Sequence, residues 1–377
     1  MNGLPSREEA WPPGYSAATR SAAWMQRPSR QFVILQGRSP ARMLLGLSSG
    51  RIPSDPLSLG PGLRRGIVPY STLLTPKGRL VADMRVSRID PGDAGSLLLD
   101  LPTEAFEEAL THLQRFLPPR LARVMTPEVS LRMLTLIGPE AASLLASLAS
   151  HATDGSNSPI PGSSIDRDIL ESFSEGEELT GPGASIHGFR LIRIDDVRPQ
   201  AWDVIMPEAD LDAWSARLAA AGVSEADPLV WDTLRVERGR PEFGHELDHE
   251  TLPPEAGIED RAIDPRKGCY TGQEVIVRIR DRGKVNRRLR GLLLGPVPPP
   301  RSGTLLYAPG REQPVGETRT SVHSPRFGQT AALGYVRREI DPPALLHLGD
   351  SGGPCVQVRA IASGDWVLVD GDRPEVS

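Results

Sequence analysis

The apolar and polar positions of this chain alternate most clearly in two neighbouring stretches. Residues 80 to 89, LVADMRVSRI, and 96 to 101, SLLLDL, read as adjacent strands separated by the turn DPGDAG. A helix follows, with Thr103 as its cap, Phe106, Ala109, Leu110, Leu113 and Leu117 on one face, and Pro118-Pro119 as its stop. The order then recurs. VSLRMLTLI precedes a helix starting near Pro139, and FRLIRIDDV and WDVIMP precede another from about Glu208 that ends before Gly222. A further helix is marked by Asp227 as cap, Pro228 in its first turn and Gly239 after its end. Strands paired before helices predict an α+β architecture with antiparallel or mixed sheets, not a doubly wound parallel sheet.

Residues 152 to 185, rich in Ser, Gly, Pro and Asp, read as a surface insertion. GPVPPPRSG opens a different regime. From about 285 onward, short apolar runs such as RGLLL, AALGYV and CVQVRAI are broken by turn residues and show no helical stripe, which predicts a small all-β barrel domain. The expected division is a flexible N-terminal tail at 1–30, an α+β region of two subdomains at 31–283, and the β-barrel domain at 284–377.

Composition narrows the function classes. With 377 residues, 39% apolar and 24% charged, the chain has the make-up of a globular protein. A net charge of -5 argues against a general nucleic-acid or membrane-surface binder. No stretch approaches the roughly 18 apolar residues of a membrane span, and the first thirty residues lack the apolar run of a secretory signal. Both point to a cytoplasmic protein. Two cysteines, Cys269 and Cys355, in unlike contexts, leave no disulfide framework and no cysteine-rich metal site. Of 43 Lys plus Arg, only Lys77, Lys267 and Lys284 are lysine. An ammonium is compact and can lose its proton when buried, so a lysine that persists against such a bias is a candidate for a lysine-specific role.

Two motifs are decoys. GDSGGP at 349–354 has the letters around a trypsin-like nucleophile, but no histidine sits in the setting that family uses, and the last β domain is too small for a double barrel. It reads as a turn into the strand CVQVRAI, with Ser351 as a turn residue. HELDH at 245–249 matches H-E-x-x-H, which needs two histidines one helical turn apart. Pro241, Gly244 and Pro253-Pro254 leave little room for that helix.

KGCYTGQE at 267–274 is of another kind. A lysine two residues before a cysteine can lower the thiol pKa, and flanking glycines allow close approach of the backbone to a ligand. Tyr270 adds a flat face and a hydroxyl, while Gln273 and Glu274 carry hydrogen-bonding groups suited to a heterocycle. A buried structural cysteine beside a turn is the plainer alternative.

The segment from RVERGRPEFGHELDH to RDRGKVNRRLRGL, with K-G-C-Y-x-G-Q-E matched at Lys267, Gly268, Cys269, Tyr270, Gly272, Gln273 and Glu274, resembles the YgfZ-type folate-binding proteins, relatives of the glycine-cleavage aminomethyltransferase. Weaker similarity extends over about residues 31 to 375. The resemblance implies a three-part, ring-like fold with a C-terminal barrel that holds tetrahydrofolate. It places Asp83 where the aminomethyltransferase has its folate-facing aspartate, and Arg235 and Glu237, in LRVERG, at that family's L-R-x-E-x-G helix end as cofactor-contacting or supporting groups. Two departures separate the chain from aminomethyltransferases: Ala82-Asp83 replaces an acidic pair, and Cys269 occupies a segment that lacks cysteine there. The resemblance to the YgfZ-type proteins implies support of iron-sulfur client proteins, with Cys269 and Lys267 as the reactive pair. The alternatives are a folate-dependent aminomethyltransferase of one-carbon metabolism and a tRNA-modification or RNA-binding factor.

Seven cations lie between Arg278 and Arg290 against one acid, Asp281. Alternation along EVIVRIR predicts a strand with Arg278 and Arg280 on one face, available to a polyglutamate tail, a client protein or RNA.

Overall fold

The computed structural model describes residues 11–60, 62–150, 165–181, 189–369 and 372. Two compact units emerge: Ser16–Ala226 with Arg261–Gln273, and Met1–Tyr15 with Asp227–Asp260 and Glu274–Ser377. The barrel-containing unit thus also takes in stretches that precede the barrel in chain order.

The first unit holds two sheets. Five strands, in the order Tyr70–Leu74, Leu80–Arg88, Leu97–Pro102, Arg30–Gln36 and Arg123–Met125, are antiparallel throughout. A turn at TPKG joins the first two and fixes their register, with Thr72 opposite Asp83 and Tyr70 opposite Arg85. The eight-stranded sheet centres on Ala23–Gln26, Leu131–Ile137, Ala201–Pro207 and Arg190–Ile194. One of its faces buries Trp24, Leu134, Leu136, Leu191, Trp202 and Val204 against Leu145 of the helix Ala141–Ser150 and Trp214 and Leu218 of the helix Leu211–Ala220. Because side chains alternate along a strand, Thr135 and Asp203 point the other way, and there Arg85 of the five-stranded sheet reaches Asp203 at 2.6 Å. The polar faces of the two sheets meet across this ion pair.

Three expectations change here. Residues 11–30 are not a loose tail: they supply the helix Tyr15–Arg20 and the strand Ala23–Gln26, with Ala22, Ala23, Trp24 and Met25 buried. The short run AAWM is too brief to stand out among its polar and proline-rich neighbours; sheet pairing with Leu131–Ile137 and burial of Ala22 and Trp24 in the core stabilise it. Residues 1–10 lie outside the described residues. Within the expected insertion, 165–181 form the helix Arg167–Glu171 and the strand Glu177–Thr180, which pairs on both edges inside the large sheet; the rest of 152–185 lies outside the described residues. The helix Phe106–Phe116 forms as expected, but Thr103 does not cap it; its hydroxyl donates to the Pro28 carbonyl at 3.2 Å.

In the second unit, the strands Arg287–Gly295, Gln329–Arg337, Pro314–Ser324, Leu305–Tyr307, Ala344–Leu348 and Cys355–Arg359 close into a barrel, as the short apolar runs predict. Alternation separates two cores. Leu292, Leu306, Ala332, Val336, Val356 and Val358 cluster together, while Leu289, Leu293, Leu333 and Tyr335 pack with Trp366 and Val236. Val236 belongs to the helix Pro228–Arg238, where the Asp227 carboxylate accepts from the Leu229 amide at 2.8 Å and Gly239 ends the helix in the left-handed region. At GDSGGP, Asp350 accepts from the Gly352 amide in a turn before the strand Cys355–Arg359.

EVIVRIR is not a strand. It lies in the helix Gln273–Arg282, so Arg278 and Arg282, not Arg278 and Arg280, share a face, and Arg280 pairs with its neighbour Asp281 at 2.7 Å. Val275 and Ile279 are spaced four apart as well as two by two, and so short a run fits either period. Among the described residues, no helix is long and apolar enough to cross a membrane.

Candidate functional site

Asp83 lies mid-strand on Leu80–Arg88, 6% exposed, on the face that turns toward the large sheet. Its carboxylate receives the Arg30 guanidinium at 3.5 Å. Arg30 is tied more closely to Asp100, through Nε to Oδ1 at 2.6 Å and Nη2 to the main-chain carbonyl at 2.9 Å. Arg85 continues the network, donating to Asp100 and Asp203 at 2.6 Å each, and the Thr135 hydroxyl closes it on Asp203 at 2.5 Å. Three carboxylates here share two guanidiniums. Burial works against charge on Asp100, but Arg30 and Arg85 outweigh it and hold that carboxyl below the usual range.

Tyr70 shares this face. Burial first, and then the negative charge of Asp83, push its hydroxyl well above the ordinary tyrosine range, so it stays a neutral donor. Arg261 stacks over the Tyr70 ring at 4.4 Å and pairs with Asp196 at 2.8 Å and Glu175 at 2.9 Å.

The signature loop docks on the neighbouring strand. Ser49 is the link: its amide donates to the Thr72 carbonyl at 3.0 Å, and its hydroxyl lies 2.7 Å from the Thr72 hydroxyl and donates to the Ala262 carbonyl at 2.7 Å. Thr72 is the ladder partner of Asp83. The Asp264 amide donates to the Ser49 carbonyl and the Thr271 amide to that of Gly46. Gly272 has a φ of +83°, and a Cβ there would stand 2.6 Å from the Thr75 carbonyl oxygen, so glycine is required. Around Gly268 there is open space.

Lys267 points its ammonium at three main-chain carbonyls, those of Leu45 at 2.7 Å, Ser48, and Gly50 at 3.2 Å. All three ammonium hydrogens are thereby occupied, so the lysine anchors the loop to the segment 45–50. Burial lowers its pKa to about 8, against the opposing pull of Asp264. The ammonium also lies 5.1 Å from the centre of the Tyr270 ring, which is buried. Cys269 is exposed, as is Cys355. The loop therefore holds its tyrosine inside and its thiol outside.

Arg235, Glu237, Glu274 and Arg278 belong to the second unit. Arg235, 1% exposed, spends its donors on Asp232 at 2.8 Å, Glu246 at 2.7 Å and the Thr320 hydroxyl at 2.8 Å. Glu237 accepts from the Tyr15 hydroxyl at 2.8 Å, the Ser324 hydroxyl at 2.5 Å and the Arg326 amide at 3.0 Å. Burial raises its pKa, only partly offset by those donors. Glu274 and Arg278 are exposed along the helix Gln273–Arg282, and Gln273 starts that helix with its amide on the Tyr270 carbonyl. HELDH is a turn, with both histidines exposed and Glu246 buried on Arg235. Asp232, Glu242 and His245 could bring ligand atoms within 4.8 Å of one another, but Arg235 already faces both acids, at 2.8 and 3.3 Å.

The motif reading singled out Asp83 but not Arg30, Tyr70, Asp100 or Arg85. Part of the signal was available: once the TPKG turn sets the hairpin register, Tyr70 and Arg85 fall on the Asp83 face by the two-residue period, whereas Arg30 and Asp100 come from other strands.

No family model matches the chain. The aminomethyltransferase of Thermosynechococcus vestitus is 28% identical over 317 residues, covering 84% of this chain and 76% of that protein. That of Synechococcus elongatus is 28% identical over 302 residues, covering 79% and 72%. The glycine cleavage system aminomethyltransferase T of Bartonella henselae superposes with a TM-score of 0.74 at 16% identity, over 93% of this chain and 89% of that one. The chain has the aminomethyltransferase fold, with a closed six-stranded barrel.

Proposed function

We propose that this protein binds tetrahydrofolate at Asp83 and acts on a one-carbon unit, in the manner of the aminomethyltransferases it is similar to. The observation that carries the reading is Asp83 itself: a buried carboxylate, mid-strand, in a network where three acids share two guanidiniums. Such a site favours a ligand that presents N–H donors, as the amino group and ring nitrogens of a reduced pterin do. Tyr70 stands beside it as a neutral donor. When bound, the folate supplies the ring nitrogen that accepts the one-carbon unit; the chain supplies the hydrogen-bond acceptor at Asp83. Gln273 and Tyr270, on the loop docked through Ser49, are supporting groups. Arg235 and Glu237 support the fold of their own unit, in which Glu274 and Arg278 stand exposed on the helix Gln273–Arg282.

One observation favours a second reading. Cys269 is exposed on a loop whose identities match the YgfZ-type signature, which fits a folate-binding protein that serves iron-sulfur clients through its thiol. The two readings part on turnover. Tetrahydrofolate titration of the full chain should saturate under both. Folate-dependent release of ammonia from an aminomethylated carrier protein is expected for the transferase. Binding without release, together with loss of cellular function in Cys269→Ala, is expected for the thiol-dependent protein. Absence of saturable folate binding would remove both.

A further inference from the structure

At one end of the barrel in the second unit, cations collect on the inward-facing side. Along the strand Arg287–Gly295, Leu292 and Leu294 enter the interior cluster with Val336, and the two-residue period puts Arg290 and Arg288 on that same face, nearer the mouth. Arg288 lies opposite Val336 on the neighbouring strand, and the Arg338 amide donates to the Asn286 carbonyl at 3.0 Å, so the alternation carries Arg338 to the same side. Three guanidiniums delivered by two neighbouring segments thus share one rim. Arg290 is half-buried, while Arg288 and Arg338 are exposed. Among the described residues, none of these three side chains makes a hydrogen bond or an ion pair. Asp341 acts on Arg290 and Glu259 on Arg288, in both cases without an ion pair forming. Burial first, and then the charge of Arg288, pull the Arg290 pKa below the ordinary arginine range, with Asp341 opposing. By contrast, Arg235, Arg238, Arg287 and Arg359 of the same unit each contact a carboxylate. Like charges held together without a carboxylate in contact carry an electrostatic cost that a bound anion removes.

We propose that this rim binds a diphosphate group, its oxygens held by Arg288, Arg290 and Arg338. Guanidiniums that arrive from two segments suit the tetrahedral oxygens of phosphoryl groups, whereas a planar carboxylate is met by a single fork. The several negative charges of a diphosphate also answer several cations at once. The site lies within the second unit and does not rest on folate binding at Asp83.

Isothermal titration of the full chain at low ionic strength with pyrophosphate, ADP and the dicarboxylate malonate tests the assignment. The expected result is saturable one-site binding of pyrophosphate and ADP, each about tenfold tighter than malonate. Tighter binding of ADP marks a nucleotide as the source of the diphosphate; pyrophosphate binding as tightly or more so marks the inorganic ion. Arg290→Gln and Arg288→Gln should each weaken both ligands about tenfold, while Arg120→Gln, at an exposed position of the first unit, should change neither. Because the Arg290 side chain has no partner to lose, Arg290→Gln should unfold in urea at the wild-type midpoint or above, and Arg288→Gln tests the same site from an exposed position. Absence of saturable binding in the millimolar range, malonate bound as tightly as pyrophosphate, wild-type affinity in Arg290→Gln and Arg288→Gln, equal weakening by Arg120→Gln, or a lowered unfolding midpoint in Arg290→Gln would each overturn the proposal.

Discussion

Asp83 and Glu237 are carboxylates of similar exposure, 6% and 4%, one in each unit, yet they are held by different kinds of partner. The Glu237 carboxylate accepts from neutral donors, two hydroxyls and a main-chain amide that tie a helix end to residues 15, 324 and 326, with the Arg326 guanidinium on its main-chain carbonyl. The three bonds, of 2.5–3.0 Å, come from residues far away in the chain and so fix architecture. Asp83 belongs to an ionic network with Arg30, Asp100, Arg85 and Asp203, and its 3.5 Å contact with Arg30 is longer than the 2.6 Å bonds that Arg30 and Arg85 make to Asp100 and Asp203. Close neutral donors fix a buried acid in place; a longer contact to a cation that is bound more tightly elsewhere leaves the acid less firmly held. Burial alone does not tell these two carboxylates apart.

Breaking the structural side of this contrast should have the largest effect on stability. Arg235→Ala strands the fully buried Glu246 without its cation and should cost about 3–5 kcal/mol in urea unfolding. Glu237→Gln retains most of its contacts and should cost about 1–2 kcal/mol, with folate affinity unchanged for the folded fraction. Two glycines in one loop sharpen the picture of how the signature is held. Gly272→Ala forces a Cβ against the Thr75 carbonyl at a positive φ and should cost about 1–3 kcal/mol, whereas Gly268→Ala, facing open space, should stay within about 0.5 kcal/mol.

The smallest effect concerns Lys267. With its folded pKa lowered to about 8, the lysine sheds its proton there while the unfolded chain holds it up to about 10.5. Between those values the unfolded state binds more protons, so this group's contribution to stability rises with pH; below about 8 it is flat. Acylation followed by peptide mapping should show half-maximal modification of Lys267 near pH 8. A midpoint near 10 would mean the ammonium is not desolvated in its nest of carbonyls.

Much of the fold was legible because period, caps and stops agreed. Asp227, Pro228 and Gly239 bounded their helix correctly, and the short apolar runs after 285 became the barrel. Legibility failed where a segment was short or ambiguous in period. AAWM joins a sheet through pairing with distant strands, and EVIVRIR fits both helix and strand. In the candidate site, KGCYTGQE stood out as a motif, but its internal arrangement did not: the lysine ties the loop down through carbonyls of residues 45, 48 and 50, which no local pattern reveals. The partners of Asp83 were hidden for another reason. Arg30 and Asp100 lie on two other strands, and only sheet order brings them together.

The most direct test is tetrahydrofolate titration of Asp83→Asn beside wild type, with urea unfolding of both. Asparagine keeps the shape and removes the charge. The account predicts affinity lowered by about 10- to 100-fold with a nearly unchanged unfolding midpoint. Wild-type affinity in a folded Asp83→Asn protein would contradict it.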